Sequence, residues 1–365
     1  DKGKGDLSNL RHSGGWMLAL CQALRERSPE IQLAIVTTHQ RPAMERYASG
    51  GIDCFLGPLR IRDSARQQNA SLMECARIVE EWEPDVIHVH GTERFFGLLS
   101  ARRLVSKPTV ISIQGLMQPY AEWYHFFGDR SLMEIFKMHR LIAVPLMRGR
   151  IWDYCRFKKA ARREREILLG NRDFMGRTLW DRSHLYSINP TATYYHVEEA
   201  IRLPFWHAQW DISRCQKHRI IYVNPNHPRK GAETLFEASD ILMRNYPDLE
   251  VALIGEISGR SGYGRYVKKE IGKRDGYVRE LGPLNAGEMA KELTRSHVFV
   301  SPSFIENSPN GICEAQLVGV PVVSSYTGGV PSLIQERHTG LFFPPGDSPQ
   351  LAATVGRIFE DDELA

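Results

Sequence analysis

No apolar run in this 365-residue chain approaches the roughly 18 residues a membrane-crossing helix needs, so nothing in it is read as spanning a bilayer. The opening DKGKGDLSNLRHSGGW lacks the apolar core of a secretory leader, and cytoplasmic residence is the expectation. Cysteine is sparse and scattered. Cys21, Cys54, Cys75, Cys155, Cys215 and Cys313 form no C-x-x-C pair and no cluster with histidine, which points to free thiols in a reducing compartment and away from a structural zinc or a disulfide framework. A strong charge of one sign is missing too: a net charge of +4 is too mild to argue for nucleic acid by itself. What remains is an ordinary globular composition, 42% hydrophobic and 25% charged, on a chain longer than one usual domain. Two domains with a cleft between them are the first expectation.

Short β-branched runs alternate with amphipathic helical stretches: IQLAIVTT (31–38), DVIHVH (85–90) and PTVISI (108–113), then RIIYVN (219–224), LEVALIG (249–255), HVFVSP (297–302) and VPVVSS (320–325). Such alternation predicts βαβ units and two parallel sheets. The aromatic-rich LPFWHAQWDISRCQ (203–216) follows neither period and is taken as the crossing between domains. The expected division is 1–205, a crossing at 206–217, and 218–365. No strand is read before the first helix, and VGRIFEDDELA stops inside a helical pattern, so the chain reads as a fragment at both ends. In open α/β sheets ligands sit beyond the carboxyl ends of the strands, so the loops there are where function is expected.

One such loop is FIENSPNGICEAQ (304–316), with seven residues between Glu306 and Glu314. Ser308 followed by Pro309 predicts a helix start with serine as N-cap, and Gly319 its end. The N–H groups of Asn310, Gly311 and Ile312 would then be open to an anion, with Gly311 allowing close approach. A diphosphate held there would leave each glutamate able to accept hydrogen bonds from hydroxyls on either side, as a nucleotide sugar offers. From the spacing alone, two solvated surface glutamates are the simpler reading. The downstream GVPVVSSYTGGVPSLIQERHTGLFFPPGD (319–347) turns the choice: it adds a buried strand, a Gly328-Gly329 turn and a further helix start at Pro331.

This region resembles the retaining family-four glycosyltransferases (glycosyl transferases group 1), whose signature is a Glu-x7-Glu pair followed by a Pro-Val-Val strand and a Gly-Gly turn. HPRKGAETLFEA (227–238) is similar to the family's Lys-Gly at a helix head, and LGPLNAGEMAKEL (281–293) to a further strand and turn. In the first half, SGGWMLALCQAL (13–24) resembles the family's Gly-Gly loop, here Gly14 and Gly15, and DVIHVHG (85–91) its histidine-bearing strand end.

The resemblance implies a GT-B fold, α/β with two facing Rossmann-like domains, the C-terminal one for a nucleotide-sugar donor and the N-terminal one for a glycan or lipid-linked acceptor. It implies that Glu314 holds ribose hydroxyls, Glu306 the donor sugar, and Lys230 with a neighbouring arginine the diphosphate. It further implies that His90 lies over the sugar, unless it is a strand-end histidine satisfied by backbone. His88 is assigned to the other parity of the strand and a structural role. Transfer would proceed with retention, by front-face attack of the acceptor hydroxyl. The chain has no Asp-x-Asp, so no catalytic metal and no cofactor beyond the donor substrate are expected, the positive charge coming from side chains and helix starts. One departure stands out. Pro225 falls where the family keeps an arginine on the diphosphate, so Arg229 is the expected substitute, against the alternative of a solvated helix-start residue.

Weaker signals remain. LLGNRDFMGRTLWDR (168–182) resembles a segment of exopolysaccharide-type transferases that would end the last strand of the first domain, making Arg177 and Asp181 acceptor-side candidates; a structural Asp-Arg pair holding a turn is the alternative. HFFGDRSLMEIFKMHR (125–140) is apolar enough for an exposed edge, though packing onto the first domain is the simpler fate. RGRIWDYCRFKKAARREREILLG (148–170) interleaves basic and aromatic residues like an amphipathic helix at an anionic membrane face, with a solvated helix face as the alternative. The glycines of SGRSGYGRYV (258–267) are in the wrong order for a dinucleotide loop. The sequence thus favours a glycosyltransferase of polysaccharide or lipid-linked glycan assembly. A nucleotide-sugar 2-epimerase of the same architecture is the rival enzyme, and a basic nucleic-acid-binding module a distant third.

Overall fold

The computed structural model describes residues 15–39, 44–58, 65–128 and 144–365. These fall into two compact units. One gathers the described residues up to Met117 with Ala160–Arg177 and Asp181–Ala200; the other gathers those of Gln118–Lys159 with Thr178–Trp180 and Ile201–Ala365.

The first unit departs from a single parallel sheet. β1 (Leu33–His39) runs parallel to β3 (Ile52–Pro58), but β2 (Glu45–Ser49) pairs antiparallel with β3. The Ser49↔Ile52 pair leaves a two-residue loop, Gly50-Gly51, with φ of 56° and 77°. Positive φ at both central residues matches the right-handed strand twist, and two glycines adopt it without a Cβ penalty. A second sheet, of four parallel strands, has the order β4 (Ile87–His90), β5 (Thr109–Ser112), β6 (Asp173–Gly176), β7 (Thr193–His196). The Gly-Arg-Thr segment therefore follows β6, and β7 lies beyond it as the last strand of this unit.

The second unit carries six parallel strands: β8 (Arg219–Val223), β9 (Glu250–Ile254), β10 (Val278–Gly282), β11 (Val298–Ser301), β12 (Val322–Ser325) and β13 (Leu341–Phe343). Their spatial order is β10-β9-β8-β11-β12-β13. Strand residues alternate between two buried faces. Ile220, Tyr222, Val251, Leu253, Val298, Val300 and Val323 join one core cluster, and Ile221, Ile254, Phe299 and Val322 the other. Each such side chain removed from water stabilises the unit by about 1.5–3 kcal/mol, which is why these strands read as continuous apolar runs.

The segment taken as a crossing is built into this unit: Phe205 is fully buried against Ile312 and Ala315, and Trp210 donates its indole N–H to the Ser296 carbonyl at 2.7 Å. The apolar 125–140 stretch is no exposed edge where it is described. Phe126 and Phe127 are buried with Tyr154 and Phe157 in this same second unit, and residues 129–143 lie outside the described residues. Tyr154 and Phe157 belong to the helix Val144–Gly170, whose Arg156, Lys158, Lys159 and Arg162 are exposed. The side chains of Arg148, Arg150 and Trp152 lie outside the described residues.

Candidate functional site

The strand order reverses between β8 and β11, so the loops leaving these neighbours diverge beyond their carboxyl ends, the place where open α/β sheets bind ligands. The loop after β8 makes one 3-10 turn, Pro228–Lys230, capped by His227 Nδ1, which accepts from the Arg229 N–H at 3.2 Å. Gly231 then takes φ 71°, and a Cβ there would meet the Pro302 carbonyl oxygen at 1.9 Å. Only glycine lets the two loops touch. The contact is pinned further by Tyr222, whose hydroxyl donates to the Lys230 carbonyl at 2.8 Å, and by the Phe304 N–H donating to the Arg229 carbonyl at 2.8 Å.

In this frame Lys230, Arg229 and Glu306 converge. Lys230 Nζ donates to Glu306 Oε1, Ser303 Oγ donates to the same oxygen at 3.1 Å, and Arg229 Nη1 lies 3.4 Å from it. Burial pushes the Glu306 carboxyl up, but the Lys230 and Arg229 charges and these hydrogen bonds outweigh it and hold the group below its ordinary value. Burial draws the Lys230 ammonium down against the pull of Glu306. The Arg229 guanidinium lies 5.3 Å over the Tyr120 ring, and its buried Nε has no hydrogen-bond partner among the described residues. Arg229 is thus held against the loop pair and is no solvated helix-start residue.

The helix after β11 begins later than the sequence predicts. It spans Asn310–Val318, with Pro309 as N-cap in extended conformation and no capping side chain, while Gly319 at φ 93° closes it as expected. Proline has no side-chain acceptor, so the first turn turns inward for partners: the Ile312 N–H donates to the Pro309 carbonyl at 3.0 Å. Ile312 is therefore not an open donor. At Gly311 the backbone also packs closely, since a Cβ there would sit 3.2 Å from the Phe299 ring. Beyond β12, Pro331 lies in a single 3-10 turn, Val330–Ser332, in place of a further α-helix. The Gly328-Gly329 turn wraps the Glu306 backbone: Gly329 N–H donates to the Glu306 carbonyl at 3.0 Å, and a Cβ on Gly328, at φ 51°, would lie 1.9 Å from that oxygen.

Glu314, one turn into the helix, is buried and held by Arg202 Nη2 at 2.6 Å on Oε1. Burial raises its carboxyl above the ordinary range even with Arg202 beside it. Neither Arg202 nor Tyr120 carries a sequence signal: one stands before a non-periodic stretch, the other among unremarkable aromatics.

In the first unit His90 ends β4 with its ring 3.9 Å from that of His88. The two histidines are two residues apart and share one face of the strand, which corrects the opposite-parity assignment. His88 Nε2 is 2.7 Å from Ser112 Oγ. Burial, and then the neighbouring His88, bring the His90 imidazole down to about 4. Arg177 and Asp181 are both buried. Arg177 donates to Glu199 at 2.8 Å, and Asp181 accepts from the Arg177 N–H at 3.2 Å and from the Tyr194 hydroxyl at 2.7 Å. Gly15 opens the helix Gly15–Arg27, and Gly14 lies outside the described residues.

A doubly wound sheet with charged side chains gathered at its switch point places the chain in the α/β class, and comparison with known proteins sharpens the class. Residues 217–361 match the family model Glycosyl transferases group 1, and residues 16–146 match Glycosyltransferase Family 4. The chain carries glycosyltransferase domains of these two families in a GT-B-type α/β fold. Among curated relatives it is 26% identical over 352 residues to a sulfoquinovosyl transferase of Arabidopsis thaliana, covering 93% of this chain and 62% of that protein. It is 30% identical over 134 residues to a D-inositol 3-phosphate glycosyltransferase of Pseudarthrobacter chlorophenolicus, covering 36% and 32%. The chain therefore spans less than two thirds of these two relatives. Among solved structures it is similar to a sucrose-phosphate synthase of Thermosynechococcus elongatus, with TM-score 0.72 and 17% identity over 97% of this chain and 86% of that one. The Anabaena protein HepE in complex with UDP-glucose gives TM-score 0.65 at 15% identity, over 97% and 88%.

Proposed function

We propose that this protein transfers a sugar with retention from a nucleoside-diphosphate sugar to a glycan or lipid-linked acceptor, without a catalytic metal. The observation that carries the reading is the convergence of Lys230, Arg229 and Glu306 at the switch point of the six-stranded sheet. Two cations sharing one carboxylate oxygen have charge to offer an incoming diphosphate, and their stabilisation grows as negative charge builds on the departing phosphate. Glu306 then turns toward the donor sugar, and Glu314 accepts from ribose hydroxyls. His90, neutral above about pH 4, supplies a hydrogen bond to a sugar hydroxyl. Asn310 and Gly311 line the helix start on the diphosphate side. Arg177 and Asp181 act on the acceptor side by shaping the loop after β6. The named relatives are a sulfoquinovosyl transferase and a D-inositol 3-phosphate glycosyltransferase, which supports transfer over isomerisation.

The test is a panel of UDP, ADP and GDP sugars, with and without candidate acceptors and with EDTA. Release of free nucleotide that requires acceptor and survives EDTA is expected, with the anomeric configuration of the donor kept in the product. An isomerised sugar nucleotide formed without release would overturn the reading in favour of an epimerase.

A further inference from the structure

Arg202 belongs to no motif, yet it is the charged side chain on Glu314. Its backbone is extended and precedes the short helix Leu203–Trp206. Its guanidinium lies 5.0 Å over the ring of Phe205, which is fully buried against Ile312 and Ala315 of the Glu314 helix. The arginine is therefore anchored to the element that carries its partner. Its Nη2 holds Glu314 Oε1 at 2.6 Å, and among the described residues no hydrogen bond is made to Glu314 Oε2. The side chains are 30% and 10% exposed, so the pair stands at the surface of the core with one carboxylate oxygen committed and one open.

We propose that Arg202 is a positioning residue for the donor nucleotide: it fixes one oxygen of Glu314 and keeps the carboxylate charged, so that the second oxygen can accept from a ribose hydroxyl. This rests on the assignment of Glu314 to the ribose. A buried carboxylate without a cation takes up a proton more readily and its hydroxyl rotates, losing the charge-assisted acceptor that ribose requires. Arg202 is the charged group that opposes protonation of Glu314, burial being what favours it.

The experiment measures binding by calorimetry between pH 5.5 and 8. UDP, ADP and GDP are compared first, and the tightest is carried forward with its 2′,3′-dideoxy counterpart and with inorganic pyrophosphate. Wild type should prefer the ribonucleotide. Arg202→Met should weaken it about tenfold, abolish the preference, move the acidic limb of the affinity profile to higher pH and leave pyrophosphate binding unchanged. Arg202→Lys should retain part of the affinity, and Arg202→Gln takes the same comparison should the methionine variant fail to fold. Tighter ribonucleotide binding in Arg202→Met would mean that the arginine blocks the site, and overturns the proposal. Unchanged affinity and pH limb in that variant, with the ribose preference kept, overturns the role of Arg202 while Glu314 stands. No ribose preference in wild type overturns both.

Discussion

At the scale of single residues, the site concentrates its charge on one oxygen. Glu306 Oε1 receives Lys230 and Ser303, with Arg229 close by, so the two cations are expected to divide their work when a diphosphate arrives. Lys230 makes the direct ion pair with Glu306, and Lys230→Ala should lower both donor affinity and turnover. Arg229 is stacked on Tyr120 with a buried Nε unpartnered among the described residues, and its planar fork suits phosphate oxygens. Arg229→Ala should lower turnover about 10²-fold with little change in donor affinity. Steady-state kinetics beside calorimetry checks the split, and a turnover within about threefold of wild type would leave Lys230 as the sole cation. Glu314→Gln keeps volume and removes charge, and should cost about 1.5–3 kcal/mol of donor binding. Equal calorimetric affinity for variant and wild type would remove Glu314 from the site. Gly328→Ala should disturb Glu306 from behind, because its Cβ would need the space of the Glu306 carbonyl at a φ alanine disfavours. A loss of turnover larger than the loss of melting temperature is the expected signature.

Elements decide which of the sequence patterns become surfaces. The helix Val144–Gly170 has the mixture of basic and aromatic residues that suggests an interfacial helix, but Tyr154 and Phe157 turn inward. Their rings meet Phe126 at 5.4 Å and 4.9 Å. Its outward face, where described, is cationic without an apolar stripe, so any attraction to an anionic membrane is electrostatic. Sedimentation with anionic liposomes should therefore exceed that with neutral ones at low salt and vanish near 0.5 M salt, where the Debye length is well under 10 Å. Salt-resistant binding would point to an apolar contact elsewhere. The same packing explains why the apolar text around Phe126 is no exposed edge. Phe126→Ala should cost about 3–5 kcal/mol in the second unit, read as a lowered denaturation midpoint.

For the whole molecule, pH acts on both units through a half-buried and a buried histidine. His90 in the first unit and His297 in the second are each brought down to about 4, burial being the largest cause. The folded state holds them neutral while the unfolded chain protonates near pH 6.5. Between these values the unfolded chain binds more protons, so stability falls as pH drops from about 6.5 toward 4. Glu93, pushed up to about 7 by burial, works in the opposite sense over its own range. His297 stacks on Phe359 at 5.0 Å, with Lys217, His218 and Asp362 as its charged neighbours. His297→Phe should therefore flatten the decline of melting temperature between pH 6.5 and 4. An unchanged slope would show that other groups govern acid lability.

Much of the architecture was legible in the chain because it rests on short-range rules. Period-two and fully apolar runs marked β1, β4, β5, β8, β9, β11 and β12, and Gly319 marked a helix end because few residues other than glycine accept its φ. The Glu-x7-Glu and Lys-Gly motifs placed Glu306, Glu314 and Lys230 in the loops after adjacent strands. The misjudged details were local competitions. Pro309 became the cap in place of Ser308, the Ile312 N–H turned back onto the Pro309 carbonyl, and a two-glycine hairpin passed unread in the first unit. What only the tertiary structure decided is which charges meet. Arg229 on Tyr120, Arg202 on Glu314, and Phe126 among rings from a later helix join residues that are 109, 112 and about 30 positions apart. No period or spacing encodes such pairs. Burial chooses them, because a guanidinium or carboxylate taken out of water must find a partner among whatever side chains the packed sheet and helices bring within reach.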